Sequence, residues 1–489
     1  MYDRSTTKNK WTIMKYIKDF DKMLLYADAV RHGMSDISDD ALDSIQEDMR
    51  IKNIYNPRTT KQESKVVTIR NKVNQIVFYM FGYKLKKGTE YKIVFSPLGN
   101  LLLDNRKNDR WVSRIFFSML YSMEFKHPFN LMKADFKIYP YRLIFKLLLD
   151  KRLNGKLYHD EVFYYVMFLK DINKEKYENL ITDILNFRKM SVEQKIALFK
   201  KDEHVVANAL HEWNYATGIL EQANIAKIYN DDNDKNRAIL VHGNGSGRRK
   251  YKLNYIKLRE DIVEFAKIMS DKYSYDSCVK RDVEDMLQSE YITQMYNFYP
   301  EELLDELGIR DEEQEQIHGI LKITDLINEY ALNENNRTYK KFEHILCDAF
   351  NLFKNIKCEV IATAGTTDIE CIYKSDDSVK KFDIEAKSTS MKLMQINAGR
   401  LRSHRRLIGS KYTIVVTPQY APAVKSDIED TDNVILLSST LSNFIYQYSR
   451  KFGRDLDYKL IDDIIVNNMG RDITDILNDY IYTHLGTSY

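Results

Sequence analysis

Residues 366–387 read TTDIECIYKSDDSVKKFDIEAK, two short runs in which apolar and charged residues alternate around a polar turn. Side chains in a strand point to opposite faces in turn, so Phe382, Ile384 and Ala386 share one face while Asp383, Glu385 and Lys387 share the other. Glu385 and Lys387 then lie roughly 7 Å apart. The same alternation puts Asp368 and Glu370 on one face of the preceding run, and KSDDSV is a plausible turn between the two, so a hairpin brings Asp368 beside Glu385. Burying acids inside a sheet is costly unless they are paired or used. Two carboxylates on adjacent strands can ligate a hard divalent ion, while a lysine beside them orients water and steadies developing charge on phosphorus. That is the chemistry of phosphodiester hydrolysis.

The tripeptide E-x-K alone carries nothing, because it also occurs at Glu63, Glu90, Glu124 and Glu193. Only Glu385 follows an acid-bearing strand at hairpin distance and precedes a helix that returns to further strands. Residues 386–426 contain no Asp or Glu, whereas Lys387, Lys392, Arg400, Arg402, Arg405, Arg406 and Lys411 crowd the same stretch. A basic helix beside an acid cluster suits a phosphate backbone laid across a metal site. Phosphate contact is the expectation for Arg400, Arg402, Arg405 and Arg406, and His404 among them reads as a DNA contact or a surface residue. Glu370 and Asp383 read as solvent-facing or ion-paired residues that border the site.

The rest of the chain bounds the setting. At 489 residues it exceeds what one core supports, so several domains are expected. Apolar residues at 44% and charged residues at 30% describe a globular chain, and a net charge of +3 leaves any nucleic-acid field to local clusters. Cys278, Cys347, Cys358 and Cys371 have neither disulfide-framework nor zinc spacing, which fits a reducing cytoplasm. No apolar signal core and no run of eighteen apolar residues occurs, so neither secretion nor a membrane is expected.

Five segments follow from composition and periodicity. Residues 1–125 read as helices, a Lys-rich turn, the strand YKIVFS and a new helix opened by Ser96 and Pro97, a winged-helix-like arrangement. Residues 126–200 hold two apolar-periodic helices interrupted at LNGKL, a helical second module. Residues 201–255 give a helix, the short strands IAKIY and AILVH, and a basic hairpin whose tip is GNGSGRR, a third, winged-helix-like module. Residues 256–335 read as a helical connector. Residues 336–489 alternate helix, strands, helix, strand, strand, an α/β domain with a mixed sheet. The fold class expected is therefore multi-domain α+β. Base-reading candidates sit at a basic helix start: Arg58, Lys61, Gln62 and Arg70.

At Asp368 and the EAK of residues 385–387 the chain resembles the PD-(D/E)xK nuclease superfamily, over roughly the last 150 residues. Thr367 stands where that family usually has proline. The resemblance implies a role for Glu343, on the preceding helix, beside Asp368, Glu385 and Lys387, and it implies that Gln395 faces the site or the DNA. Winged-helix-like modules followed by such a domain resemble the type IIS restriction and nicking endonucleases of the FokI and AlwI kind, as do the phrases SPLGNLLLDN and YRLIFKLLLDKRLNGKLYHDEVFYYVMF. By that resemblance the chain binds double-stranded DNA at a short asymmetric site and cuts beside it using Mg²⁺ or Mn²⁺, ligated by Asp368 and Glu385. A transient homodimer or second subunit would be needed to cut both strands. Two alternatives stand beside it: a repair or resolvase nuclease that reads DNA structure, and a DNA-binding regulator with an inert nuclease-like domain.

Overall fold

The computed structural model describes the chain apart from Met1 and residues 33–36, 56–64, 88–89, 130–135, 231–237, 243–246, 277–291, 293–294, 309–311, 334–337, 362–365, 376–377, 454 and 486–489. It is a mixed α+β protein with a mainly helical first half and a mixed sheet near the C-terminus. It divides into two compact units, residues 1–84, 98–287 and 302–307 forming one and residues 85–97, 288–301 and 308–489 the other. Among the described residues no helix is long and apolar enough to cross a membrane.

The first unit includes α1 (Phe20–His32), α2 (Lys65–Phe78) and α3 (Pro97–Asp104), with strands β1 (Gly82–Lys87) and β2 (Glu90–Phe95) where the chain leaves for the second unit and returns. The expected YKIVFS strand and Pro97 helix start are both present, and the Lys-rich stretch expected as a turn is itself largely the strand β1. The helix α3 lies so close to the preceding chain that a Cβ on Gly99 would sit 2.1 Å from the Phe81 carbonyl oxygen, which only glycine tolerates.

Further on come α4 (Pro140–Leu149), β3 (Leu157–Tyr158), α5 (His159–Tyr164) and the long α6 (Glu203–Gln222). The break at LNGKL is a turn in which Asn154 and Gly155 both take positive φ. Strands β4 (Ala226–Asn230), β5 (Ala238–His242), β6 (Gly247–Tyr251) and β7 (Asn254–Leu258) then follow. They form a three-stranded sheet of order β3-β7-β4 and a separate β5-β6 hairpin. Because β3 comes from the second expected segment and β4 and β7 from the third or its edge, the stretches 126–200 and 201–255 share one sheet. The N-terminal stretch joins the same unit through the buried Lys10, whose Nζ lies 2.7 Å from Glu212 on α6.

The second unit is built on a five-stranded sheet of order β12-β11-β10-β9-β8. Its elements include α7 (Glu312–Ala331), α8 (Tyr339–Phe350), β8 (Ile356–Val360), β9 (Ile369–Lys374), β10 (Val379–Ala386), α9 (Ala398–Ile408), β11 (Thr413–Thr417), α10 (Val424–Ile428), β12 (Asn433–Leu437), α11 (Ser438–Phe452) and α12 (Lys459–Val466). Strands β8, β9 and β10 run antiparallel, and β10, β11 and β12 run parallel, so the sheet is mixed as expected. One face of β10 packs Phe382 against Phe350, Tyr412 and Tyr458.

Several details differ from the sequence expectation. The strand β8 was not anticipated, although Ile356–Val360 alternates apolar and charged residues and the alternation was there to be read. A disulfide joins Cys358 to Cys371, which face each other across β8 and β9; their 13-residue separation gave no sign of this, since pairing depends on strand register. The helix expected over residues 388–408 forms only from Ala398, where Asn397 caps it by accepting the Arg400 N–H at 2.9 Å; residues 388–397 are irregular. The stretch 256–335 is divided between the units: the helix Val263–Lys272 lies in the first, while α7 lies in the second and is tied to α11 through Asn328 and Ser442.

Candidate active site

The hairpin of β9 and β10 sets the geometry. Ile384 pairs with Ile369 and Asp383 with Glu370, so the next position along each strand places Asp368 opposite Glu385. The contact is anchored through the backbone, the Ala386 N–H donating to Asp368 Oδ2 at 2.8 Å. Burial, then the negative charge of Glu385, pushes the Asp368 carboxyl up to about 6. On the parallel side Glu385 lies beside Val415 of β11, and the Lys387 N–H donates to the Val416 carbonyl at 2.8 Å, fixing the strand end that carries the lysine.

The Glu385 side chain is 2% exposed. Its Oε1 accepts from Lys387 Nζ at 2.5 Å and from an Arg400 guanidinium nitrogen at 2.5 Å. Its Oε2 is buried and, among the described residues, has no hydrogen-bond partner. A buried acceptor left unmade costs about 1–3 kcal/mol, and a charged one more, so this oxygen is held where a cation would satisfy it. Glu385, Lys387, Gln395, Asn397, Arg400 and Leu401 border an open cavity of ≈ 300 Å³.

Glu343 on α8 is half-buried and within electrostatic reach of Lys387 and Glu385; burial raises its carboxyl above the ordinary range. Gln395 does face the cavity, although from the irregular segment ahead of α9 and not from a helix. Among the described residues no group of three or more His, Cys, Asp and Glu side chains converges as a metal cage. Two carboxylates plus substrate oxygens and water is the pattern by which magnesium is commonly held, so the donor set fits a hard divalent ion that meets its phosphate in the site.

The arginines of α9 separate by helical phase. Arg402 and Arg406 are exposed and Arg400 reaches Glu385, but Arg405 is buried. Its guanidinium donates to Thr413 Oγ1 at 2.9 Å and to Asn433, so a DNA contact by Arg405 is corrected to a structural role. His404 is buried too, not a surface residue. Leu401, His404, Arg405 and Ile408 fall at the i, i+3, i+4, i+7 spacing of one helix face, and that signal was present in the sequence.

Asp383 and Glu370 border the site without lining the cavity. Glu370 is ion-paired with Lys381 at 2.6 Å, as expected. Asp383 is wholly buried instead of solvent-facing: its Oδ2 accepts from Thr367 at 3.1 Å and Thr413 at 3.0 Å, and burial pushes its carboxyl up to about 6. Thr367, at the position usually proline in the resembled family, thus holds this buried acid. Asn397 and Leu401 line the cavity and were not singled out; the capping signal of Asn397 before AGRLR was the one clue. In the first unit Arg70 is exposed and paired with Asp39. Arg58, Lys61 and Gln62 lie outside the described residues.

Glu385, Lys387 and Arg400 border one cavity at the end of the central strand β10, with the Asp368 carboxylate held beside them, and such a set has the chemistry of a site for phosphate esters. Comparison with known proteins gives the class: residues 6–273 match the family model described as type II restriction endonuclease HgaI, N-terminal domain. The type II restriction enzyme HgaI of Avibacterium volantium is 37% identical over 484 residues, covering 97% of this chain and 98% of that protein. The chain belongs to the HgaI family of type II restriction enzymes. Structures of the restriction endonuclease FokI, free and bound to DNA, cover 85% and 83% of the chain at 10% identity, each with a TM-score of 0.26, too low for a shared fold to be read from it.

Proposed function

We propose that this chain is a site-specific DNA endonuclease that hydrolyses phosphodiester bonds at the β9–β10 site with a divalent cation, magnesium or manganese, held by Asp368 and Glu385. The observation that carries the reading is the buried, unpartnered Glu385 Oε2 beside Asp368, with Lys387 two residues along the same strand face. The cation, when bound, would polarise the phosphate and acidify a water. Lys387 Nζ, now held on Glu385 Oε1, is placed to donate to the attacking water or to a non-bridging phosphate oxygen, and Arg400 adds a second positive charge on the same side. Glu343 is assigned to water positioning. The water oxygen bonds to phosphorus, one P–O ester bond breaks, and the products are a phosphate end and a hydroxyl end.

In this reading residues 336–489 form a PD-(D/E)xK-type cleavage domain, and winged-helix-like segments upstream bind a short asymmetric DNA site, so that cutting falls at a set distance from it. The 37% identity with a type II restriction enzyme along nearly the whole chain favours sequence reading over structure-directed repair and over an inert regulator. A single copy has one such site and cuts one strand; double-strand cleavage requires a second copy or a second turn.

Replacing magnesium by calcium should leave site-specific binding in a mobility-shift assay and abolish hydrolysis, because calcium takes the same oxygen donors in a looser geometry. Cleavage that persists in chelator would overturn the metal-dependent reading.

A further inference from the structure

The hairpin β5–β6 does nothing in the account so far, yet its second strand is strongly basic. Arg248, Arg249, Lys250 and Lys252 fall within five residues, and among the described residues none of them forms a salt bridge. The strand's inward position is taken by Tyr251, fully buried, whose hydroxyl donates to Asp160 Oδ2 at 2.7 Å. Arg248 and Lys250 alternate with it and are exposed, so their repulsion is a cost the fold does not require.

Beneath these cations lies a cavity of ≈ 380 Å³ with no acidic residue in its lining. Phe163, Leu210 and Ile228 supply apolar wall, and His159 and Asn214 supply polar floor. His159 is 4% exposed. Its Nδ1 lies 3.2 Å from Asn214 Oδ1; with that amide oxygen as acceptor the ring proton is assigned to Nδ1, which leaves a lone pair on Nε2. Nε2 is buried and, among the described residues, has no partner. A lone pair repels an anion and receives an N–H donor. The cavity therefore asks for a ligand that is anionic at the rim, flat and apolar in the middle, and a hydrogen-bond donor at the floor. A simple anion satisfies only the first requirement, and a nucleotide of DNA satisfies all three.

Resting on the DNA-cleaving reading above, we infer that β6 and the cavity under it form a DNA contact of the first unit, with Arg248, Lys250 and Lys252 on backbone phosphates and His159 Nε2 accepting from a base. The contact lies on elements of residues 159–254, a different part of the sequence from the basic stretch 58–70 favoured above for base reading. The three rim side chains set affinity irrespective of sequence, and His159 sets preference.

The test uses the full-length protein in calcium, titrated by fluorescence anisotropy against a duplex carrying its own cleavage site and against an unrelated duplex over a range of salt. In R248A/K250A/K252A, whose replaced side chains project outward, binding to both duplexes should weaken and the slope of log Kd against log salt should fall by about three, one per phosphate contact. His159→Gln, close in size, should keep the wild-type slope and lose about tenfold on the cognate duplex alone, the cost of one base contact. A triple variant with wild-type affinity and slope overturns the proposal while leaving the endonuclease reading intact if the same variant still cuts. A His159→Gln variant that discriminates as well as wild type overturns the base contact. Failure of the wild-type chain to bind or cut DNA removes the endonuclease reading, and this contact with it.

Discussion

Glu385 divides its work between its two oxygens: one receives Lys387 and Arg400, and the other is buried and left open. The two-residue period made this pairing legible in the sequence, because Asp368, Glu385 and Lys387 had to share a face once the hairpin formed. Depth was not legible. Asp383 is on the same face by the same rule, yet it is sealed beneath Thr367 and Thr413, because burial depends on what α9 and β11 lay over it. Buried histidines carry a related prediction. His127 is 0% exposed, and burial pushes its imidazole down to about 3. Its folded pKa lies below the ordinary value, so its contribution to stability is present above about pH 6.5 and is lost as pH falls toward the folded value. Between pH 7 and pH 5 urea titrations should show about 2 kcal/mol of lost stability traceable to this residue. His127→Gln should flatten that part of the curve, and an equally steep loss in the variant would show that another group titrates.

At the scale of elements, α9 shows what a sequence reads well and badly. Its acid-free, arginine-rich character was plain, but four arginines looked alike until helical phase assigned Arg405 and His404 to the buried side. Arg405→Ala should therefore destabilise the protein by about 2–3 kcal/mol, since Thr413 and Asn433 lose a buried donor. Arg402→Ala, at an exposed position, should change stability by less than about 0.5 kcal/mol and weaken DNA binding instead. Thermal denaturation beside a binding titration separates the two, and equal stability of both variants would contradict the assignment. The strand β8 carries its own alternation in IKCEV and was legible, whereas the Cys358–Cys371 bridge was not, because it is set by the register between β8 and β9, which local alternation does not encode.

For the whole molecule, composition and length foretold more than one compact body, but the boundaries follow packing instead of composition. The helix α7 reads as a connector in the sequence, yet Asn328 donates to Ser442 at 3.1 Å and the Ala331 carbonyl receives the Thr389 N–H at 2.8 Å, so it belongs with the sheet. A fragment of residues 308–489 should consequently be more soluble and melt higher than one of residues 336–489, and whichever folds should cut, if it cuts, without sequence preference. Sequence-specific cutting by either would refute the division between an upstream reading half and a cleaving sheet. The central claim, that Asp368, Glu385 and Lys387 cut DNA at a distance set by the rest of the chain, is tested most directly by sequencing the ends of plasmid DNA digested in magnesium by the wild-type, Asp368→Ala and Lys387→Ala proteins. The account predicts wild-type ends at one fixed offset from a short asymmetric sequence and cleavage lowered at least about 10³-fold in both variants, with cognate binding retained. Ends produced by either variant at the wild-type rate would contradict it.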